Sequence, residues 1–419
     1  MKKLLFLLLL SFTANHIFAQ HSFSKEFLQN DLDTLYNTIQ QVHPDMFTVI
    51  SQEKFEENLQ MVKLSMKDSL TVYEFYALAS PLVNSLGDGH TMVNFPFNDF
   101  TQANPLVFPY GVKVDKTNCS LTMTGDFLVN SNKEDAVAEM ISINGLPSKD
   151  IFEQLLDLIH GESDGFKYEV MNHAFIYFFY ILDGSETFMI NFRLNGQEHT
   201  IQTEGIPLDE RMQKEQDFYQ ALQTGEIPKY AIQLNRDNDF ALFELNSLDY
   251  GDGEFMSFLD SVFVQLKEKN IGNLIIDIRL NGGGQSSVGD EIFQYISPIP
   301  FAQYDGNDLT LLEDRPTRFD GNVYLLTSNA TFSSAANFAW TFHYFKMGTI
   351  IGEETGGRIQ QFGDSYIFTL PTSGLSCAVS TEELLGYGAT PAHKHGVMPD
   401  IETPAGDALN KALEMISTE

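Results

Sequence analysis

Two adjacent serines, Ser333 and Ser334, sit where a short apolar run gives way to an alanine-rich one. Residues Val323–Leu326 contain no charged member, the pattern of a strand buried on both faces. After a polar turn, Phe332, Ala335, Ala336, Ala339 and Phe342 recur at helical spacing, with Thr331 placed to cap them. Both serines then fall in the first helical turn, where unpaired N–H groups and the helix dipole favour developing negative charge. A hydrolase wants a nucleophilic serine there, although two serines capping an ordinary helix would look the same.

Two further stretches bear chemistry. Leu274–Ile278 reads as a buried strand, and Asn281 with three glycines, Gly282, Gly283 and Gly284, follows it. Bare backbone N–H groups after a strand suit an anion or an oxyanion. The run does not fit a dinucleotide fingerprint, and the chain has no P-loop lysine, HExxH or cysteine cluster. His90 closes Gly87-Asp88-Gly89-His90, where flanking glycines permit a tight bend that holds the imidazole out. A single histidine after a helix means little until it has a partner.

The elements that would position these groups fall into blocks. From Ser24 to Leu86 the spacing predicts three helices, the first with Leu28, Leu32, Leu35 and Ile39 on one face. The third opens on a Thr71/Glu74 capping box. From Pro105 to Gly205 a small α/β unit is expected, with hairpins at Val112–Met123 and around Asn195-Gly196. Its stretch Ala138–Leu156 (strand, Asn-Gly turn, helix) resembles the end of a PDZ domain, which binds a peptide C-terminus by strand addition. An aromatic insertion from Phe166 to Tyr180 departs from a plain PDZ and is placed to cover such a groove. Residues 206–229 are polar and read as a linker. Beyond them strands and helices alternate.

The 419 residues carry 57 acidic and 25 basic side chains, a net charge of −32, which argues against nucleic acid and anionic membrane as partners. Lys2 and Lys3, the apolar Leu4–Leu10 and Ala19 form an export signal, too short for a membrane span. A periplasmic or secreted mature protein is expected. A bridge between Cys119 and Cys377 is allowed in that compartment, but two thiols so far apart are more usually reduced and buried.

Five segments stand in the order found in the tail-specific, or C-terminal processing, serine peptidases. They are LGDGHT, SINGLP, NLIIDIRLNGGG, TSNATFSSAANFA with GEETGG, and GVMPD. The resemblance implies an α/β chain with a ClpP/crotonase-like βαβ spiral as its catalytic core. With the export signal at 1–19, the parts expected are a helical domain at 20–100 carrying His90, a PDZ-like domain at 105–205 and a catalytic domain at 230–419. By position, the resemblance makes Ser334, directly before the Ala-Ala pair, the nucleophile, with the N–H groups of Gly283 and Ala335 as oxyanion hole. One branch of the family takes its base from a lysine after GE-x-T-x-G, but Arg358 stands there and stays protonated. The tricorn-like branch uses the histidine matched by His90 and orients it through a glutamate just before GV-x-PD. Here Ala392-His393-Lys394-His395 offers no acid, and nothing selects Glu382 or Glu383.

The resemblance therefore implies a serine endopeptidase acting on peptides or proteins, without metal or cofactor. A non-catalytic protein binding peptides or lipophilic ligands on the same fold is the alternative. The oligomeric state is left open.

Overall fold

The computed structural model describes residues 22–116, 118–124, 138–221, 228–249, 253–390 and 392–418, so the expected signal peptide lies outside them. The first helices form as their apolar spacing predicts. α1 (Lys25–Val42) buries Leu28, Leu32, Leu35 and Ile39, and α2 (Gln52–Ser65) buries Phe55 and Leu59. α3 (Val72–Asn84) opens on the Thr71/Glu74 capping box, with both arms made. The chain then passes Asp88 and His90 into the short β1 (Met92–Val93).

Five strands follow in an antiparallel sheet of order β6–β5–β4–β3–β2: β2 (Gly111–Asp115), β3 (Ser120–Thr124), β4 (Ala138–Ile143), β5 (Thr187–Leu194) and β6 (Gln197–Glu204). Between β4 and β5 run α4 (Ser148–Leu158) and α5 (Asp164–Leu182). The aromatic insertion is thus a helix, burying Phe175, Phe178 and Phe179. Its Asn172 Oδ1 accepts the Val114 N–H at 2.7 Å and so occupies the outer edge of β2.

One apolar core joins this PDZ-like unit to the helical segment, from Leu32 and Phe75 through Met140, Leu155 and Phe179. The expected boundary near residue 100 is therefore no break in packing. The expected linker is partly a helix, α6 (Leu208–Ala221), anchored by buried Leu208 and Arg211. Two anchoring positions on an otherwise polar face leave little apolar period to read.

The core sheet orders β7 (Tyr230–Asn235), β8 (Phe240–Leu245), β9 (Asn273–Asp277), β10 (Asn322–Thr327) and β11 (Thr349–Gly352), with Ile401–Glu402 beyond β11. β7 is antiparallel to β8, and all later pairs are parallel. α7 (Gly253–Glu268), α8 (Ser286–Ile296) and α9 (Ser334–Tyr344) cover one face through Phe263, Ile276, Phe293 and Phe338. α10 (Ala408–Thr418) covers the other, packing Ala408 and Ala412 on Tyr324 and Ile351. This α/β layering is the ClpP/crotonase-like spiral. β12 (Gln360–Thr369) and β13 (Ser376–Leu385) leave it as a hairpin, and β13 pairs with β1. That pairing carries the His90 segment onto the core.

Cys119 and Cys377 are both free, and burial pushes the Cys377 thiol up to about 12. Among the described residues no helix is long and apolar enough to cross a membrane.

Candidate active site

After β10 the chain turns back on itself before α9. Thr331, expected to cap that helix, instead donates to Ile278 O at 3.0 Å and accepts the Ser328 N–H at 3.1 Å. The turn is thereby pinned to the end of β9. α9 begins at Ser334, leaving Ser333 outside the helix at φ 53°, ψ −130°. A non-glycine residue reaches this conformation only when its surroundings enforce it. The elbow aims Ser333 Oγ at His90 Nε2, 3.0 Å away.

Ser334 points elsewhere. Its Oγ donates to Gly284 O at 2.7 Å and accepts from Ser286 Oγ at 3.2 Å. The sequence favoured Ser334 as the nucleophile, but the side chain facing the imidazole is that of Ser333. Helical spacing could not reveal this, because the deciding feature is a strained backbone just before the helix.

His90 is held from below and from the side. Asp88 Oδ1 accepts the His90 N–H at 2.9 Å, while Asp88 Oδ2 takes His43 Nε2 at 3.1 Å and Ser380 Oγ at 2.6 Å. Burial works to raise the Asp88 carboxyl, but these hydrogen bonds outweigh it and leave it below its ordinary value. The imidazole stacks on Phe332 at 4.9 Å, and Phe332 stacks on Phe166 of α5 at 4.1 Å. A Cβ on Gly89 would lie 2.5 Å from the Phe332 ring, so only glycine admits this stack. Burial lowers the His90 pKa, outweighing the attraction of Asp88 and Asp364. The ring is therefore neutral at neutral pH, as a general base must be.

The other ring nitrogen faces an acid that sequence reading missed. His90 Nδ1 lies 3.8 Å from Glu162 Oε1, and both atoms are buried without a hydrogen-bond partner. Glu162 sits in the loop between α4 and α5, and its Oε2 accepts the Arg358 N–H at 2.7 Å. Burial pushes its carboxyl up to about 8, against the pull of the Arg358 and Gly89 N–H groups and the Arg358 charge. Neither acid left open by the sequence is placed to help: Glu382 and Glu383 are exposed, and Glu383 accepts from Gln360.

The expected oxyanion donors are engaged. The Gly283 N–H donates to Asn281 Oδ1 at 2.9 Å, and the Ala335 N–H to Phe332 O at 3.0 Å. The glycine run nonetheless abuts the nucleophile: a Cβ on Gly283, at φ 107°, would sit 2.8 Å from Ser333 Cβ and 3.0 Å from Ser334 N. The Ser334 N–H has no backbone acceptor among the described residues. Ser334 is the residue that follows the serine facing His90.

Atoms of Asp88, His90 and Glu162 lie within 4.8 Å of one another. Both Asp88 oxygens are committed to protein donors, and the positive Arg358 stands by Glu162. Those committed oxygens and the neighbouring guanidinium count against a cation among the trio.

A half-buried histidine facing a strained serine beside a glycine run, at the ends of parallel strands, is an arrangement a serine hydrolase can use on this ClpP/crotonase-like fold. Residues 240–403 match the family model of peptidase family S41. That match runs from β8 to just past the strand beyond β11, the part of the chain that holds Ser333 and the glycine run, and it supports a serine-type peptidase. Its fold is similar to that of mature CPAF, at 12% identity over 94% of this chain and 96% of that one, with a TM-score of 0.64. A structure of mature CPAF complexed with lactacystin gives 14%, 94%, 97% and 0.63. A Parabacteroides merdae protein gives 15%, 94%, 97% and 0.50.

Proposed function

We propose that this chain is an exported serine endopeptidase in which Ser333 is the nucleophile and His90 the general base. The observation that carries the reading is the 3.0 Å contact between His90 Nε2 and the Ser333 Oγ, made at a strained elbow beside Gly283. Ser333 Oγ attacks the peptide carbonyl as its proton passes to His90 Nε2, and the acyl-enzyme forms when that proton goes to the leaving amine. Water, deprotonated by His90, then releases the acid product. The Ser334 N–H and a glycine-run N–H hold the oxyanion; Gly283 contributes once its N–H leaves Asn281.

The substrate is a peptide or protein, as the family implies. Selecting it by its C-terminus would require the outer edge of β2, and Asn172 already holds the Val114 N–H there. Export rests on the leader sequence at residues 1–19. The test is turnover of an unstructured protein by purified mature chain and by Ser333→Ala and Ser334→Ala variants. Ser333→Ala is expected to abolish cleavage and Ser334→Ala to retain most of it. Loss in Ser334→Ala alone overturns the assignment, and no cleavage by any of the three favours a binding protein on this fold.

A further inference from the structure

We propose that Glu162, delivered by the loop between the two helices of the PDZ-like unit, is the acid that orients His90. The proposal rests on the Ser333–His90 reading above and supplies its missing third member. The resemblance places an acid just before Gly396, where this chain has His395. Gly396 pairs with Arg358, and it is the Arg358 N–H that donates to Glu162 Oε2. Glu162 thus reaches the same neighbourhood from a segment 196 positions upstream of Arg358.

Its packing is that of a fixed functional group. Ser163, the next residue, caps α5 by accepting the Phe166 N–H and donates its hydroxyl to Gly356 O at 2.9 Å. Phe166 lies on Phe332, which lies on His90. One carboxylate oxygen is held by main chain, and the other is buried, unpartnered and aimed at an equally unpartnered Nδ1. A closure of about 1 Å would make the hydrogen bond, and catalytic contacts of this kind tighten when substrate binds.

The tautomer decides the chemistry. Nε2 can accept the Ser333 proton only when Nδ1 carries the other one, and an ionised Glu162 fixes that form by accepting from Nδ1–H. A protonated Glu162 can donate to Nδ1 instead and stabilise the unproductive tautomer. During the reaction Nε2 gains the Ser333 proton, Nδ1 keeps its own, and the carboxylate faces the resulting imidazolium. The proton on Nε2 leaves with the amine, so Glu162 ends unchanged. The charged groups around the pair are Asp88 and Arg358 beside Glu162, and Asp364 and His160 near His90. Asp88, Glu162, Arg358 and Lys394 also line a small cleft beside the pair.

The experiment is Glu162→Gln in the full mature chain, read as kcat and KM across pH 5–10 alongside the native enzyme and Ser333→Ala. Glutamine retains an acceptor for the Arg358 N–H, so the fold is kept and thermal melting checks it. Native kcat is expected to rise through about pH 8 as Glu162 ionises. In the variant kcat falls about a hundredfold or more with KM little changed, and the rise near pH 8 disappears. Glu162→Asp is expected to restore the pH 8 limb at reduced kcat. A variant with native kcat and profile overturns the proposal. So does one that loses activity with the profile shape unchanged, since that marks a structural role. An inactive native chain would instead fail the Ser333–His90 reading on which this one stands.

Discussion

Arg358 and Glu162 are joined main chain to side chain: the Arg358 N–H donates to Glu162 Oε2 at 2.7 Å. The same arginine's guanidinium reaches Gly87 O at 3.1 Å, at the start of the loop that carries His90. One residue therefore ties the acid and the histidine loop to the core without offering a base. Its place in the chain invites comparison with a catalytic lysine, but its contacts are those of a clamp.

This gives the first prediction. Arg358→Ala keeps the main-chain donor but loses the contact to Gly87 and the charge beside Glu162, and kcat is expected to stay within about tenfold of native. The melting temperature drops. His90→Ala, which removes the base, lowers kcat/KM by about 10²–10⁴-fold. Steady-state kinetics on both variants check this, and equal losses would contradict it.

Asp88 makes a pH-dependent contribution to stability. Its folded pKa lies below its ordinary value, so the stabilisation is present above the unfolded pKa of about 3.9 and is lost as pH falls through the folded value. Asp88→Asn is expected to lose about 1.5–3 kcal/mol at pH 7, the scale of hydrogen bonds to a charged group. The gap to wild type should close below pH ~4. Urea titrations at several pH values measure it; a gap independent of pH would contradict the linkage.

Phe166 supports His90 through Phe332. Phe166→Ala removes a stacked, half-buried ring and is expected to cost about 2 kcal/mol. It also wets one face of the Phe332–His90 stack, so the imidazole pKa rises towards 6.5. Histidine NMR titration of native and variant protein reads this directly. An unshifted His90 would show that the stack does not control its environment.

Asn172 makes the PDZ-like edge a poor reader of chain ends. On Ser333→Ala protein, a peptide acid and its amide should bind within about threefold of each other. Capture of the terminal carboxylate would separate them by roughly ten- to a hundredfold. Calorimetry decides between the two.

The sequence made much of this molecule legible and left particular atoms hidden. The apolar runs at Leu274–Ile278 and Val323–Leu326 are strands because uninterrupted burial leaves a strong signature. The Thr71/Glu74 box is equally readable, since capping is local chemistry within four residues. The serine that faces His90 lies one position before the one the sequence favoured, because a helical stripe tolerates either start, whereas the positive φ at Ser333 goes with Gly283 and Gly357 packing against it. Glu162 lay in a loop with no pattern of its own, and only the tertiary fold brings it to His90. The same holds for Thr331, whose partner Ile278 is 53 residues away.

The central claim is that Ser333, and no other serine, is activated by His90. Mature protein would be treated with a fluorophosphonate at neutral pH, digested, and the adduct located by fragment mass spectrometry. The account predicts a single adduct on Ser333 that is lost in His90→Ala. An adduct on Ser334, or labelling of Ser333 that persists without His90, would contradict it.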